Sequence, residues 1–227
     1  MGLTGKVPPI SKAGISPASG AEAIHMKVYG NPMSTCTRKV LTVLAEKGRE
    51  AEFTNIDLMK GEQKSPEHVA RQPFGVVPAF ETDDGFMMYE SRAIIRYLDR
   101  TLPGTSLTPT DPRAYALMEQ FMAVEQSYFS GPAMKIVMER FRGTNDEANV
   151  AKGREGIKRP LEVIDAALAK QPFLAGKDFT LAEVTWAPYM DYLMAMGEQG
   201  LIGQYKNVMA WWDRVANRPS FKKAVGR

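Results

Sequence analysis

The chain places a hydroxyl, a thiol and a guanidinium within one short run, at Ser34, Cys36 and Arg38. Before them, Lys27-Val28-Tyr29 is β-prone, and Gly30-Asn31-Pro32 carries turn chemistry. After them, Thr37, Val40, Leu41 and Leu44 recur at helical spacing, with Gly48 as the stop. Ser34 therefore stands where a helix N-cap belongs. Free N–H groups and the positive end of the helix dipole favour an anion or a thiolate beside that hydroxyl. Taken alone, the stretch reads first as a plain cap. At about 100° per residue, Ser34 and Cys36 point to opposite faces, whereas Arg38 returns to the face of Ser34. Cys36 aligns with Val40 and Val43, which predicts a buried, inert thiol.

These residues need a scaffold, and 227 residues suffice for one large domain or two modest ones. Hydrophobic residues make up 44% and charged residues 24%, as in ordinary globular proteins. A net charge of +3 without a dense Lys/Arg block argues against nucleic acid and against a membrane surface. The single cysteine excludes an internal disulfide and fits a reducing, cytoplasmic compartment. With His25 and His68 as the only histidines, no metal site is expected. No apolar run approaches a membrane span, and no signal-type region opens the chain.

Residues 1–25 are small, polar and punctuated by Pro8, Pro9, Gly14, Pro17 and Gly20. They are expected to be a flexible, dispensable extension, natural or left by cloning, ahead of Met26. Over 26–100 the pattern is strand, helix, a strand around Ala51 to Ile56, and a short helix near Ser65-Pro66. A strand at Ala79-Phe80 then turns through Asp84-Gly85 into Phe86 to Tyr89. Glu90-Ser91 is expected to cap a helix with the apolar face Ala93, Ile94, Tyr97 and Leu98. This βαβ–ββα order is that of a thioredoxin-like α/β domain. Residues 101–112, rich in Pro, Gly, Thr and Ser, form a linker. Residues 113–227 read as all-α. Asp111-Pro112 opens a helix, and Leu117, Met118, Phe121, Met122, Glu125, Tyr128 and Phe129 share helical spacing up to an expected break at Gly131-Pro132. A helix follows from about Asp146 to Lys170, bent at Pro160. Thr180 to Glu183 forms a capping box, with Phe179 and Val184 placed for a staple.

Together these features resemble a cytosolic glutathione transferase, most closely the phi class. The resemblance rests on KVYGNPMSTCTRKVL, GEQKSPEH, PFGVVPAF, YESRAI, AVEQSYF, FLAGKDFTLAE and VMAWWDRVANRPSF, which occur in order across both domains. It implies that Ser34 hydrogen-bonds the sulfur of glutathione, the co-substrate, and holds it as the nucleophilic thiolate, with Arg38 assisting. It further implies that Lys64 pairs with the glycyl carboxylate, and that Val77, followed by a cis Pro78, pairs through its backbone with the cysteinyl unit. Glu90 and Ser91 would hold the γ-glutamyl end. Gln63 stands where the class often has His, and Val76 where it often has Gln, so two polar contacts are missing. Met33, Leu58, Tyr128 and Phe129 fall where the family lines its pocket for small hydrophobic electrophiles. The resemblance also implies a homodimer, in which Phe74 could serve the interface.

The expected reaction is conjugation of glutathione to an electrophilic carbon in detoxification, or reduction of an organic hydroperoxide. One alternative is a thiol transferase or dehydroascorbate reductase with Cys36 as nucleophile. Ser34 at the sulfur position and the facing of Cys36 argue against it. A non-catalytic carrier of apolar ligands is the other, less compatible with the intact Ser34–Arg38 run.

Overall fold

The computed structural model describes residues 25–227, so the expected extension lies outside the described residues except for His25. Four short strands form one mixed sheet: β1 (Lys27–Gly30), β2 (Glu52–Asn55), β3 (Ala79–Glu81) and β4 (Met87–Tyr89), in the order β2-β1-β3-β4. β1 runs parallel to β2 and antiparallel to β3, and β3 pairs antiparallel with β4. Alternation along a strand sends successive side chains to opposite faces. Val28, opposite Phe80, accordingly enters the main core with Val40, Val43, Leu44, Ile94, Ile95 and Leu98. Tyr29 and Ala79 join Ile56 and Val77 in a second cluster on the other face.

The first helix, α1 (Thr35–Glu46), begins at Ser34 as expected, and Gly48 supplies the left-handed residue after its end with φ +60°. A 3-10 turn (Glu62–Lys64) leads into α2 (Pro66–Arg71), capped by Ser65. α3 (Ser91–Thr101) departs from expectation twice. Its N-cap, Glu90, has φ 68° and makes no side-chain capping bond. Its buried arc holds Ile94, Ile95 and Leu98 while Ala93 is exposed, because α3 meets both α1 and the helical domain.

In the helical domain, α4 (Pro112–Val124) starts behind Asp111, whose carboxylate accepts from Ala114 N at 2.8 Å. The expected break at Gly131-Pro132 does not occur. A π-helical turn, Glu125–Phe129, lies between α4 and α5 (Ser130–Arg142). It resets the register so that Pro132 falls in the first turn of α5, where a missing N–H leaves no ladder bond unmade. The chain continues through α6 (Glu147–Leu168), which contains Pro160, and α7 (Leu181–Ala195). It ends with α8 (Gln199–Ile202), α9 (Lys206–Ala216) and α10 (Pro219–Ala224). The capping box of α7 is present, Glu183 accepting from Thr180 N at 2.9 Å. Every residue of α7 from Leu181 to Leu193 is buried, so this helix is the spine of its domain and also packs against α1. No helix among the described residues is long and apolar enough to cross a membrane.

Candidate functional site

The register of the sheet gathers the candidate residues at one edge. Tyr29 pairs with Ala79 and Ala79 with Tyr89, so the chain beyond these pairs brings Asn31, Val77 and Ser91 side by side. Gly30 is required there, since a Cβ would come within 2.7 Å of the Thr37 side chain and push α1 off the sheet. Asn31 then shapes the loop to Ser34: its Oδ1 accepts from Met33 N at 2.9 Å, and its Nδ2 donates to Ile56 O at 3.0 Å.

Ser34 is half-buried at the start of α1, where its Oγ accepts from Thr37 N at 3.3 Å. Among the described residues its own O–H has no acceptor, so the hydroxyl proton is available for an anion in front of the helix. Arg38 does not point toward that anion position, as its shared face had suggested. Its Nε donates to Pro32 O at 2.9 Å, its Nη1 reaches Asp191 Oδ2 at 3.1 Å, and the guanidinium stacks over Tyr192 at 4.5 Å. The buried guanidinium thus braces the loop against α7. Tyr192 adds a second brace, donating to Met33 O at 2.6 Å. Cys36 is half-buried rather than buried, which corrects the expectation of a core thiol.

A second loop supplies Val77. Gly75, with φ +60°, leaves room for Lys64, whose chain would lie 2.8 Å from a Cβ there. Lys64 is exposed, and its Nζ donates to Phe74 O at 3.1 Å. Gln63 lies against the same glycine through its carbonyl, and its Oε1 is buried without a partner among the described residues. His68, buried on α2, bonds Val76 O through Nε2 at 2.7 Å. Val77 itself is buried, its bond to Pro78 is cis, and its N–H and C=O have no hydrogen-bond partner among the described residues. Unpaired backbone groups in a mostly buried residue are uncommon.

Glu90 and Ser91 complete the edge. Non-glycine residues rarely take the positive φ of Glu90, and such strain costs on the order of 1–3 kcal/mol. It leaves the carboxylate exposed just before the free N–H groups of α3. Arg92, next in sequence, donates through Nε to Glu125 Oε2 at 3.2 Å, and Lys39 Nζ lies 3.5 Å from the other oxygen. Glu125, the first residue of the π turn, thereby joins α1, α3 and the helical domain in one buried cluster. Tyr189 borders it beneath Lys39 at 4.8 Å, and burial pushes its phenol well above the ordinary tyrosine range.

Of the residues expected to line an apolar pocket, three are accessible or packed beside the Val77 cluster. Met33 is 48% and Tyr128 64% exposed, and Leu58 packs beside the Val77 cluster. Phe129 does not line it. This ring is fully buried and stacks on Trp186 at 4.4 Å, inside the helical domain, while its neighbour Tyr128 is exposed. A cleft of about 510 Å3 lies elsewhere, beneath the linker between α3 and α4. Its cations Lys47 and Arg96 are matched to Asp99 and Glu119, so it presents no free charge from them. Sequence reasoning missed Asn31, His68, Arg92, Glu125, Asp191 and Tyr192. Only the Glu125 position in an apolar helical stripe carried a signal, as a charge where a core residue was due.

This geometry agrees with known proteins. The profile "Glutathione S-transferase, N-terminal domain" matches residues 24–100, and "Glutathione S-transferase, C-terminal domain" matches residues 115–219. Glutathione S-transferase PM239X14 of Arabidopsis thaliana is 39% identical over 198 residues, covering 83% of this chain and 90% of the relative. Glutathione transferase F7 from Populus trichocarpa superposes with a TM-score of 0.82 at 33% identity, over 88% of this chain and 98% of that one. Glutathione S-transferase I from maize, solved with an atrazine glutathione conjugate, gives 0.80 at 32% identity, over 89% and 97%. A matched scaffold in both domains, with a hydroxyl-bearing helix start and a free backbone edge at its centre, leaves one assignment: the chain belongs to the glutathione S-transferase family, as a transferase enzyme most similar to the phi class.

Proposed function

We propose that this transferase activates glutathione through Ser34 and transfers it to small hydrophobic electrophiles. The observation that carries this reading is the Ser34 hydroxyl, which accepts from Thr37 N and keeps its own proton to donate. A thiol with pKa about 8.5 needs roughly 2.7 kcal/mol to reach about 6.5. A charge-assisted hydrogen bond contributes about 1.5–3 kcal/mol, and the end of α1 about 0.3–1 kcal/mol. Those two sources suffice without Arg38, which acts through the loop it holds. Val77 pairs with the cysteinyl backbone, Lys64 with the glycyl carboxylate, and Glu90 with Ser91 receives the γ-glutamyl end. Gln63 lies beside the glycyl subsite.

The bound thiolate attacks the electrophilic carbon, forms the carbon–sulfur bond and expels the leaving group. With an organic hydroperoxide it attacks the terminal oxygen instead, the O–O bond breaks to release the alcohol, and a second glutathione converts the resulting glutathione sulfenic acid to the disulfide with loss of water. Met33, Leu58 and Tyr128 offer an apolar, sulfur-containing wall for the acceptor. The atrazine conjugate held by the maize relative supports an aromatic electrophile. Exposed Phe74, in edge contact with Tyr89, supports a homodimer formed through this side of the sheet. A cytoplasmic role in detoxification fits this chemistry. The test is the pH profile of conjugation to an aryl halide. Ser34→Ala should lose rate near neutral pH and recover part of it as pH rises. A flat, unchanged profile would remove the assignment.

A further inference from the structure

We infer that His68 is a positioning residue for glutathione, acting through the peptide unit that joins Val76 to Val77. This inference rests on the proposed pairing of Val77 with the cysteinyl backbone. His68 is 1% exposed, and its Nε2 lies 2.7 Å from Val76 O. A carbonyl oxygen can only accept, so the ring donates from Nε2. The amide on the other end of that same peptide is Val77 N–H, which has no partner among the described residues, in a residue only 9% exposed. In a planar trans peptide the C=O and N–H point in opposite directions. Holding the oxygen against His68 therefore turns the Val77 N–H away from α2, toward the edge shared with Asn31 and Ser91.

The rest of the loop is fastened independently. Phe74 N donates to Gln72 Oε1 at 2.7 Å, Gly75 N to Gln72 O at 2.9 Å, and Lys64 Nζ to Phe74 O at 3.1 Å. Among the described residues, only His68 holds the Val76 carbonyl. Ser65 fixes the start of α2, its hydroxyl accepting from the His68 backbone N–H at 3.2 Å, while the ring Nδ1 is buried with no partner among the described residues. The same bond also polarises the amide, because hydrogen bonds in series strengthen one another. His68 thus performs at the cysteinyl subsite what Asn31 performs at the Ser34 loop: it aims a backbone group without touching the ligand.

The experiment pairs His68→Phe, which keeps a flat ring and loses the donor, with His68→Gln, whose amide can still reach Val76 O. Steady-state conjugation with varied glutathione gives KM and kcat separately. His68→Phe should raise KM for glutathione about tenfold at nearly unchanged kcat, the worth of one hydrogen bond. His68→Gln should remain within about twofold of the parent. Equal losses in both variants, or a fall in kcat at constant KM, would overturn the inference. A readout on the unmutated protein covers the case in which His68→Phe does not fold. The His68 Nε2–H proton should shift downfield in NMR spectra on saturation with glutathione, and a resonance unmoved by bound glutathione would also overturn it. Binding of glutathione to the parent, with rate loss in Ser34→Ala, tests the parent reading separately. If both hold while His68 is silent, only the present inference fails.

Discussion

The two ends of α1 each bury a lysine, and the fold treats them in opposite ways. Lys47, at the C-terminal end, meets Asp99 Oδ1 at 2.8 Å and donates to Asp99 O at 3.1 Å and Thr105 O at 2.8 Å. All three ammonium donors are used. Lys39, one turn from Ser34, is equally buried but has no hydrogen bond among the described residues, only Glu125 at 3.5 Å and the Tyr189 ring. Two cations, Lys39 and Arg92, compete there for one carboxylate. The C-terminal end is a joint that locks the linker; the N-terminal end accepts a poorly matched charge beside the candidate chemistry. Local conflicts of this kind gather at functional sites, where the environment serves a ligand rather than the fold.

The largest effect should come from breaking the well-matched end. Lys47→Met leaves the buried Asp99 carboxylate without its cation, held by Leu107 N–H and the Thr108 hydroxyl, which should cost about 3 kcal/mol of unfolding free energy in urea. Burial alone would push the Asp99 carboxyl up, but Leu107 N–H, Lys47 and Thr108 more than offset it and hold it below the usual value of 3.8. A depressed carboxyl contributes stability above its unfolded pKa and loses it as pH falls through the folded one. The acid transition should therefore begin at higher pH in Lys47→Met than in the parent. A variant as stable as the parent would dissolve the contrast between the two ends.

Next in size is Ser34→Ala, with conjugation near neutral pH falling about ten- to a hundredfold, or roughly 1.4–2.8 kcal/mol, while glutathione binding changes little. Lys39→Met should go the other way from Lys47→Met and stabilise by up to about 1 kcal/mol, since Glu125 keeps Arg92. Burial lowers the Lys39 pKa from the ordinary 10.5, with Glu125 only partly restoring it. A depressed lysine favours folding fully only above its unfolded pKa, and that contribution is lost as pH falls through the folded value. The advantage of Lys39→Met should accordingly shrink as pH rises toward 10.5, as chemical denaturation across that range would show. Smallest of all, Cys36→Ser should leave conjugation intact and shift stability by less than about 0.5 kcal/mol, because the side chain is half-buried. Loss of turnover, with a mixed disulfide to glutathione in the parent, would move the nucleophile to Cys36.

Much of this was legible in the chain because it is local. The Ser34 cap, the Asp84-Gly85 hairpin, the Asp111-Pro112 start and the Thr180–Glu183 box each depend on residues a few positions apart. Where the reading missed, a distant partner intervened. Ile95 replaced Ala93 in the core because α3 is sandwiched, and Phe129 turned inward to stack on Trp186 inside the helical domain.

The sequence by itself determined the order of the main elements and carried the motifs of the family; periodicity placed Ser34 as a helix cap, and the family resemblance singled it out as a site residue. Tertiary structure alone decided what Arg38, Lys39 and His68 face. Arg38 meets Asp191 across 153 positions, and His68 aims a carbonyl in the next loop. Helical phase specifies the direction of a side chain from its own axis, but the group waiting there belongs to another element. Its identity is settled only when the two domains pack.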